Sequence, residues 1–269
     1  MNRRRAVPGA ASPGPSGPET TYRCGGGSVL YLYGLVLPGT DVPDVPAGPG
    51  ISDMRLIGLG EVAVLVSDVD TDEFVGTPSE IRRHVAVLDG VAADHPVLPM
   101  RFGTVVPDET AVEEAFPIER RGAIADDLDR LGGLVQLTVR ARYVQDAVLA
   151  ELVAEDVKIA RLRETLRHLP PHALRDARIR LGELVVRGFA RKRAHDIDVV
   201  LDELAPFTVE IHEHETQQVD DVLECAALVR RAEHTKFEGV LEGIAERAYG
   251  RIFFRLVGPQ APYDFVGER

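Results

Sequence analysis

The chain has 269 residues, 45% of them hydrophobic, which is enough for two ordinary domains with apolar cores. Its net charge of −12 argues against a nucleic-acid partner, because affinity for a phosphate backbone comes largely from clustered Lys and Arg. No segment approaches the run of about 20 apolar residues that crosses a bilayer, so we expect no membrane partner and a cytoplasmic location. The two cysteines, Cys24 and Cys225, form no disulfide framework, which agrees with a reducing compartment.

Strands are predicted early in the chain. Residues 1–27 are rich in Pro, Gly, Ser and Arg without apolar periodicity, and we predict a disordered arm there. Residues 29–36 are rich in β-forming side chains, and residues 54–58 and 61–67 predict two further strands joined by a tight turn. The turn, Gly58-Leu59-Gly60, begins a degenerate dinucleotide-binding fingerprint. That fingerprint requires a helix after its glycines, whereas the sequence continues with a strand, so we expect no nucleotide site.

Two helices are predicted next. Thr77-Pro78-Ser79-Glu80 is a capping box with proline at the first helical position, and Asp108 begins a second helix that is acidic in its first turn. The apolar stripe of the first helix is predicted from three residues at helical spacing: Ile81, Val85 and Leu88. His84 is interpreted as a residue at the boundary of this stripe.

The segment between these helices, residues 95–106, places Pro96 and Pro99 inside an apolar run. Each proline removes a backbone donor and favours extended geometry in the residue before it, so a mid-helix or central-strand position is excluded. The segment is predicted to be a stiff, partly buried connector. Its simplest interpretation is that the apolar side chains fill a core while Arg101 pairs with a carboxylate.

After Gly132-Gly133, a predicted domain boundary, the elements follow the order strand, helical region, strand, strand, helix, strand. The predicted strands and the two main helices cover, in chain order, residues 134–143, 172–205, 207–213, 222–230, 237–248 and 252–257. This is the split β-α-β order of ferredoxin-like domains with an enlarged helical crossover. The third strand is apolar on both faces, as an interior strand requires, and the second alternates, as an edge strand does.

The predicted fold is therefore α+β, in two domains. Residues 28–131 form an N-terminal α+β domain, and residues 132–269 form a C-terminal, modified ferredoxin-like βαββαβ domain. The basic run Arg191-Lys192-Arg193 lies on the long helix of the second domain, next to acidic turns, and is interpreted as a solvated helix face.

One polar cluster could bind a metal ion. Glu210, His212 and His214 are spaced two residues apart, so on a strand they share one face, opposite Phe207, Val209 and Ile211. Two imidazoles and a carboxylate could hold zinc. No further His or Cys lies close in sequence, and the strand is a predicted edge, so a solvated polar face is favoured and no metal or cofactor is expected.

Four segments carry a resemblance to a known family: residues 31–36, 95–105, 224–229 and 255–265. The second of these, His-Pro-Val-Leu-Pro-Met-Arg-Phe-Gly-Thr-Val, closely resembles the signature segment of the gas vesicle protein L/F family, and the other three occur in the expected order. The resemblance extends from about Val29 to Val266. It implies a non-enzymatic accessory protein of gas vesicle formation, located with the gas vesicle, which contacts the hydrophobic main shell subunit and other accessory proteins.

A partner-binding site is hypothesised at Leu98, Met100, Arg101 and Phe102, because an apolar patch rimmed by charge suits the cover of a hydrophobic subunit. No catalytic residue is assigned, since the sequence holds no nucleophile elbow, phosphate loop or Ser-His-Asp arrangement. Two alternatives remain open: a metal-dependent enzyme that uses His212 and His214, and a ligand-binding regulatory module suggested by the ferredoxin-like fold.

Overall fold

The computed structural model of the chain describes residues 3–4, 28–45, 53–70, 76–168, 170, 174–216 and 218–267. The described residues form two compact units. The N-terminal unit draws on residues 5–137, 230–232 and 258–269, and the C-terminal unit on residues 1–4, 138–229 and 233–257. The domain bounds predicted from the sequence stay a prediction; in the structure the last residues of the chain belong to the N-terminal unit.

Ten strands form within the described residues: β1 (Arg3–Arg4), β2 (Ser28–Val36), β3 (Arg55–Gly58), β4 (Ala63–Asp70), β5 (Val97–Pro99), β6 (Val105–Val106), β7 (Leu134–Tyr143), β8 (Glu210–Glu213), β9 (Asp221–Arg230) and β10 (Ile252–Gln260). The α-helices are α1 (Pro78–Asp94), α2 (Glu109–Ala115), α3 (Ile118–Leu131), α4 (Gln145–Glu155), α5 (Val157–Leu166), α6 (Leu174–Leu204) and α7 (His234–Arg247). The predicted α+β class is confirmed.

The N-terminal unit is built on a sheet of order β3-β4-β2-β5, in which β6 also pairs with β2. All of these pairings are antiparallel. The turn between β3 and β4 contains Gly60 at φ 88°, a left-handed conformation that favours glycine. As predicted, a strand follows these glycines, so the helix that a dinucleotide site requires is replaced by β4.

Helix α1 begins as the sequence predicts, but it buries a different face. Thr77 is its N-cap and forms the predicted capping box with Glu80. The predicted stripe is wrong at Ile81, which is 44% exposed, and the interpretation of His84 as a boundary residue is wrong, since His84 is 3% exposed. The face that packs on the sheet consists of His84, Val87, Leu88, Val91 and Ala92. A histidine is accepted there because both of its ring nitrogens have partners, described below.

The C-terminal unit contains a sheet of order β1-β8-β9-β7-β10. Its last four strands, with α4 to α6 and α7 as crossovers, follow the predicted βαββαβ order, and β9 and β7 lie inside the sheet as expected. The arrangement is compatible with the predicted ferredoxin-like domain. The predicted edge strand is β8. It has a further neighbour over two residues, because Arg3 and Arg4 of β1 pair in parallel with Ile211 and His212. The rest of the predicted N-terminal arm lies outside the described residues.

Strand β8 is shorter than predicted. Residues Ala205–Phe207 form a 3-10 turn with proline inside it, and the strand begins only at Glu210. Val209 donates its N–H to the carbonyl of Leu228 at 2.8 Å but leaves its side chain 38% exposed. The predicted strand is therefore correct over Glu210–Glu213 and wrong at its start, where Pro206 fixes the backbone angle φ and a 3-10 turn forms instead.

A partly buried ionic cluster fastens α6 to the rest of its unit. Asp196 is 9% exposed; it accepts a hydrogen bond from the Tyr143 hydroxyl and binds Arg251 through two bonds of 2.9 and 2.8 Å. Lys192 lies 2.9 Å from Glu151 and 2.8 Å from Glu155, and its side chain is only 16% exposed. The interpretation of the whole basic run as a solvated face is therefore wrong at Lys192, whose helix face is covered by α4.

Within the described part of the chain, no helix is both long enough and apolar enough to span a bilayer.

We expect Gly34→Ala to lower the free energy of unfolding by about 1–3 kcal/mol, because a Cβ there would lie 2.8 Å from the carbonyl oxygen of Leu98 and force β2 and β5 apart. Urea unfolding followed by circular dichroism measures this. Gly58→Ala, on β3 of the same sheet with open space around its Cβ, is the matched control and should change the free energy by less than about 0.5 kcal/mol. Equal effects of the two substitutions would contradict the packing argument.

Candidate functional site

A cleft in the N-terminal unit is bordered by three of the four segments that carry the family resemblance. Its volume is about 360 Å³. Strand β2 contributes Leu35, the 95–105 segment contributes five residues, and the end of the chain contributes Tyr263. The complete lining is Leu35, Leu98, Pro99, Met100, Arg101, Thr104, Phe116, Tyr263, Val266 and Gly267. Most of these side chains are apolar, and Arg101 adds a charged one.

Backbone hydrogen bonds fix the 95–105 segment on β2. Strand β5 pairs antiparallel with β2 through Val97 to Pro99. The N–H of Met100 then donates to the carbonyl of Tyr33 at 2.9 Å, and the N–H of Leu32 donates to the carbonyl of Thr104 at 2.9 Å. The prolines fit because β5 is a short edge strand, where a missing donor is tolerated. The predicted stiff connector is thus a short edge strand followed by a turn.

The turn at residues 101–104 presents Arg101 to solvent. The N–H and the hydroxyl of Thr104 both donate to the carbonyl of Arg101, at 3.2 and 2.7 Å. Gly103 has φ 87°, which favours glycine, and its N–H donates to the Tyr31 hydroxyl at 3.2 Å. The Arg101 side chain is exposed as a consequence.

His84 connects helix α1 to this turn. Its Nε2 lies 3.1 Å from the carbonyl oxygen of Met100, which can only accept, so Nε2 carries the proton. Its Nδ1 lies 2.7 Å from the Tyr31 hydroxyl and therefore accepts the hydroxyl proton. The resulting chain of donors runs from Gly103 N–H to Tyr31, from Tyr31 to His84, and from His84 to Met100. We call this chain the His84 relay.

The relay requires an uncharged imidazole. Burial lowers the pKa of His84, while the hydrogen bond to Met100 acts in the opposite direction and is the smaller effect. Burial likewise raises the pKa of the Tyr31 hydroxyl, so that group keeps its proton. Near neutral pH every donor and acceptor in the relay therefore has a partner. Polar groups in an apolar core require such partners, because an unpaired one would destabilise the fold.

Aromatic rings surround the relay. The ring centroids of Tyr31 and Tyr33 are 4.9 Å apart, and the His84 ring lies 5.7 Å from the ring of Phe102 in an edge-to-face arrangement. Phe102 packs against the core of the unit. Its side chain thus anchors the turn from the inner side, while Arg101 and Met100 lie toward the cleft.

The end of the chain forms the opposite border of the cleft and is held by side chains of the same unit. Asp89 on α1 accepts the N–H of Ala261 at 2.8 Å, Gln136 accepts the N–H of Asp264 at 3.1 Å, and Arg130 donates to the carbonyl of Phe265 at 2.8 Å. Burial raises the pKa of the Asp89 carboxyl. These three bonds position Tyr263 and Val266 at the cleft.

The four residues hypothesised for partner binding differ in accessibility. Leu98 is 1% exposed and contributes to the floor of the cleft, and Phe102 is turned into the core. Met100 is half-buried and Arg101 is exposed, and both border the cleft. Their role stays a prediction, and the geometry favours Met100 and Arg101 as the residues that a partner can reach.

The hypothesised metal-binding residues lie in the C-terminal unit. The rings of His212 and His214 are 5.5 Å apart, so the two residues do share a side of the chain as predicted. Within the described residues, no group of three or more His, Cys, Asp or Glu side chains has a metal-binding arrangement. The pair alone offers fewer ligands than a structural or catalytic zinc site uses.

Sequence reasoning missed the His84 relay and the contribution of Tyr263 and Val266. A signal for His84 was present, because it lies three and four residues before Val87 and Leu88 and therefore on their face of the helix. For the end of the chain the sequence offers no equivalent signal, since residue 263 is more than 150 residues from the segment that it meets.

Comparisons with known proteins agree with the resemblance. The family model described as gas vesicle synthesis protein GvpL/GvpF matches residues 29–267. Gas vesicle protein F of Streptomyces sp. (strain CB03234) is 26% identical over 241 residues, which cover 88% of this chain and 98% of that protein. Gas vesicle protein F of Nostoc sp. (strain PCC 7120 / SAG 25.82 / UTEX 2576) is 22% identical over 244 residues, covering 89% and 98%.

Two solved structures share the fold. The crystal structure of gas vesicle protein GvpF from Anabaena sp. PCC7120 matches with a TM-score of 0.77 at 21% identity and covers 89% of this chain and 98% of its own. That of GvpF from Microcystis aeruginosa matches with a TM-score of 0.71 at 21% identity, covering 88% and 98%. The fold of this chain, both units included, is thus one already seen in experimental structures.

We expect Tyr31→Phe to lower the free energy of unfolding by about 1–3 kcal/mol, because it leaves His84 Nδ1 buried without a partner and removes the acceptor of the Gly103 N–H. Urea unfolding of the two proteins measures the difference. Tyr33→Phe is the matched control two residues along the same strand: its hydroxyl has only a 3.5 Å contact with Ser67 and should matter less. A larger effect at Tyr33 would argue against the relay.

The pH dependence of stability should report on His84. Because its pKa in the folded protein is below the ordinary value, its contribution is complete above about pH 6.5 and decreases as the pH falls, with a slope of at most about 1.4 kcal/mol per pH unit. His84→Gln removes this titration, so the difference in unfolding free energy between wild type and variant should shrink from about pH 7.5 to about pH 5.5.

The control for that experiment is His195→Gln, which replaces an exposed histidine of α6. The same measurements on this variant separate a specific effect of His84 from the general effect of replacing a histidine by glutamine. A constant difference between wild type and His84→Gln over the same pH range would show that His84 does not titrate differently in the folded and unfolded chains.

Proposed function

Because the chain belongs to the gas vesicle synthesis protein GvpL/GvpF family, we propose that it is a non-enzymatic accessory protein of gas vesicle formation that binds the hydrophobic main shell subunit in the cleft of its N-terminal unit. The accessory role follows from the family. The proposal adds that the partner is the shell subunit, that the cleft is its binding site and that the chain also contacts further accessory proteins. It also places the chain with the gas vesicle in the cytoplasm.

The observation that carries the proposal is the cleft itself. A cleft of about 360 Å³ with a mostly apolar lining lies beside the exposed guanidinium of Arg101. A subunit with a strongly apolar surface would aggregate unless that surface were covered before assembly, and a concave apolar site can cover part of it. Arg101 at the border can orient the bound segment by pairing with a carboxylate or a carbonyl.

The rigidity of the cleft also supports binding. The His84 relay and the backbone bonds to β2 fix one border, and Asp89, Gln136 and Arg130 fix the other. A preformed site loses little conformational entropy when it binds, so it gains affinity from a modest contact area.

The chemistry of the lining favours binding over catalysis. The polar side chains are those of Arg101, Thr104 and Tyr263, and burial raises the pKa of the Tyr263 hydroxyl, which keeps it protonated. The lining contains no histidine, and His84, behind the 95–105 segment, uses both ring nitrogens in the relay. A general base within reach of a nucleophile, which acyl or phosphoryl transfer would need, is not supplied by these residues.

Co-expression with the main gas vesicle shell subunit of the same organism tests the proposal. We expect the wild-type chain to keep the shell subunit in the soluble fraction and to co-purify with it. Arg101→Glu and Met100→Glu should reduce the co-purified shell subunit about tenfold, because they place a negative charge at the border and in the apolar part of the cleft.

Arg82→Glu on an exposed part of α1 makes the same charge change as Arg101→Glu and should leave co-purification unchanged. Because Arg101 is exposed, its substitution should not affect folding, which thermal unfolding can verify. Absence of any co-purification with folded wild-type protein would refute shell binding. Unchanged co-purification by folded Arg101→Glu and Met100→Glu would instead place the contact outside the cleft.

A further inference from the structure

Charge is distributed unevenly along the chain. Residues 157–193 contain 11 Lys and Arg and 3 Asp and Glu, a net charge of +8, although the whole chain carries −12. The remaining residues therefore carry −20. The basic stretch corresponds to α5 and the first two thirds of α6, which pack on each other in the C-terminal unit. Such segregation produces a local positive potential on a protein that is otherwise acidic.

A groove lies between these two helices. It is shallow and largely open to solvent, with a volume of about 550 Å³, and is lined by Lys158, Arg161, Leu162, Thr165, Arg180, Glu183, Leu184 and Arg187. The half-buried side chains of Leu162 and Leu184 supply its apolar surface. Four cations surround this surface, against a single carboxylate.

The cations of the groove are largely unpaired. Among the described residues, the side chains of Lys158, Arg161 and Arg180 have no carboxylate partner, and Arg187 has only an exposed contact of 3.4 Å with Glu183. Elsewhere in the same unit, arginines such as Arg140 and Arg251 are matched with acidic groups at 2.8 and 2.9 Å. Unpaired like charges repel one another, and an acidic ligand would relieve that repulsion.

Two further apolar side chains of α6 are exposed outside the groove. Ile179 is 54% exposed and Val186 is 61% exposed. Glu183, which lines the groove, is the helical neighbour of both, four residues after Ile179 and three before Val186. Leu184 lies five residues after Ile179 and two before Val186, so it faces a different side of α6. Ile179 and Val186 therefore flank the charged border of the groove over about two helical turns and are not part of its apolar lining.

We propose that this groove, the α5–α6 groove, is a docking site for an acidic amphipathic helix of a partner protein. The apolar side of such a helix matches Leu162 and Leu184, and its carboxylates match the surrounding cations, as in other helix-in-groove complexes. The site lies in the C-terminal unit and does not depend on shell-subunit binding in the cleft of the N-terminal unit.

Two other kinds of ligand fit the groove less well. A nucleic-acid backbone would pair with the cations, but the lining contains no aromatic side chain for base stacking, and exposed Ile and Val add nothing to phosphate contacts. An anionic membrane surface would require large apolar or aromatic residues that insert between lipids, whereas Leu162 and Leu184 are half-buried and the lining contains no Trp or Phe.

Fluorescence anisotropy with a defined probe tests the docking site. The probe is a labelled synthetic peptide of Leu and Glu, arranged so that Leu forms one face of a helix; a second peptide has the same composition in a scrambled order. We expect the full-length chain to bind the amphipathic peptide at least about tenfold more tightly than the scrambled one, with affinity that weakens as salt is added.

Variants then locate the site. Arg161→Glu combined with Arg180→Glu should weaken binding of the amphipathic peptide at least about tenfold, because two groove cations become anions. Arg82→Glu combined with Arg120→Glu makes the same change in net charge at exposed positions of the N-terminal unit and should leave the affinity unchanged. Arg161→Gln combined with Arg180→Gln provides a milder pair, and circular dichroism verifies that each variant is folded.

Several outcomes would overturn the proposal: no binding of the amphipathic peptide, equal binding of the scrambled peptide, or an equal loss in the control double variant. Tighter binding of a DNA duplex or of phosphatidylserine vesicles, abolished by the same groove variants, would assign the groove to those ligands instead. Self-association of the wild type in sedimentation equilibrium that the groove variants abolish would identify a second copy of this chain as the occupant. The groove variants are also tested for co-purification of the shell subunit. This measurement shows separately whether the cleft of the N-terminal unit still binds its partner.

Discussion

The N-terminal unit depends on one uncharged imidazole. His84 is buried in an apolar core, where an unmatched ring nitrogen would cost about 1–3 kcal/mol, yet both nitrogens are satisfied by groups from two other segments. The arrangement works only with the proton on Nε2, because the carbonyl of Met100 can only accept. A helix, a strand and a turn are thereby fixed relative to one another by three hydrogen bonds and the aromatic rings around them.

That constraint has a consequence for the surface. The turn after β5 cannot move inward, because Phe102 already fills the space beneath it, and it cannot swing outward without breaking the bond to His84. Met100 and Arg101 are therefore displayed next to a cleft that the end of the chain closes from the other side. The hydrogen bonds of the His84 relay thus keep the apolar cleft open. Apolar side chains alone would tend to collapse and close it.

The C-terminal unit uses charge in a different way. Asp196 and Arg251 form a bidentate pair that, with Glu151 and Lys192, ties α6 to α4 and to the start of β10. Removing one member of such a partly buried cluster leaves an uncompensated charge, so the cluster specifies where α6 lies. On the first part of the same helix, Arg180 and Arg187 border the proposed α5–α6 groove. Matched charges thus position one part of the helix, and we propose that cations of the other part contact a partner.

Patterns confined to neighbouring residues were enough to determine much of this protein from its sequence. The capping box at Thr77, the strand from Leu134 to Tyr143 and the order of the βαββαβ elements all follow from local spacing, and the four family segments identify the family. The hypothesised binding segment also came from the sequence, as a proline-rich run between two helices, although its role is a proposal.

Only the tertiary structure decided which faces are buried and which segments meet. Periodicity placed Ile81 in the stripe of α1 and His84 at its boundary, but the partner that makes His84 acceptable in the core, Tyr31, lies 53 residues away. Lys192 is likewise drawn inward by carboxylates of another helix. The cleft joins Leu98 to Val266, and no local pattern encodes such a contact, because its free energy comes from burial and hydrogen bonds that form only when distant parts of the chain pack together.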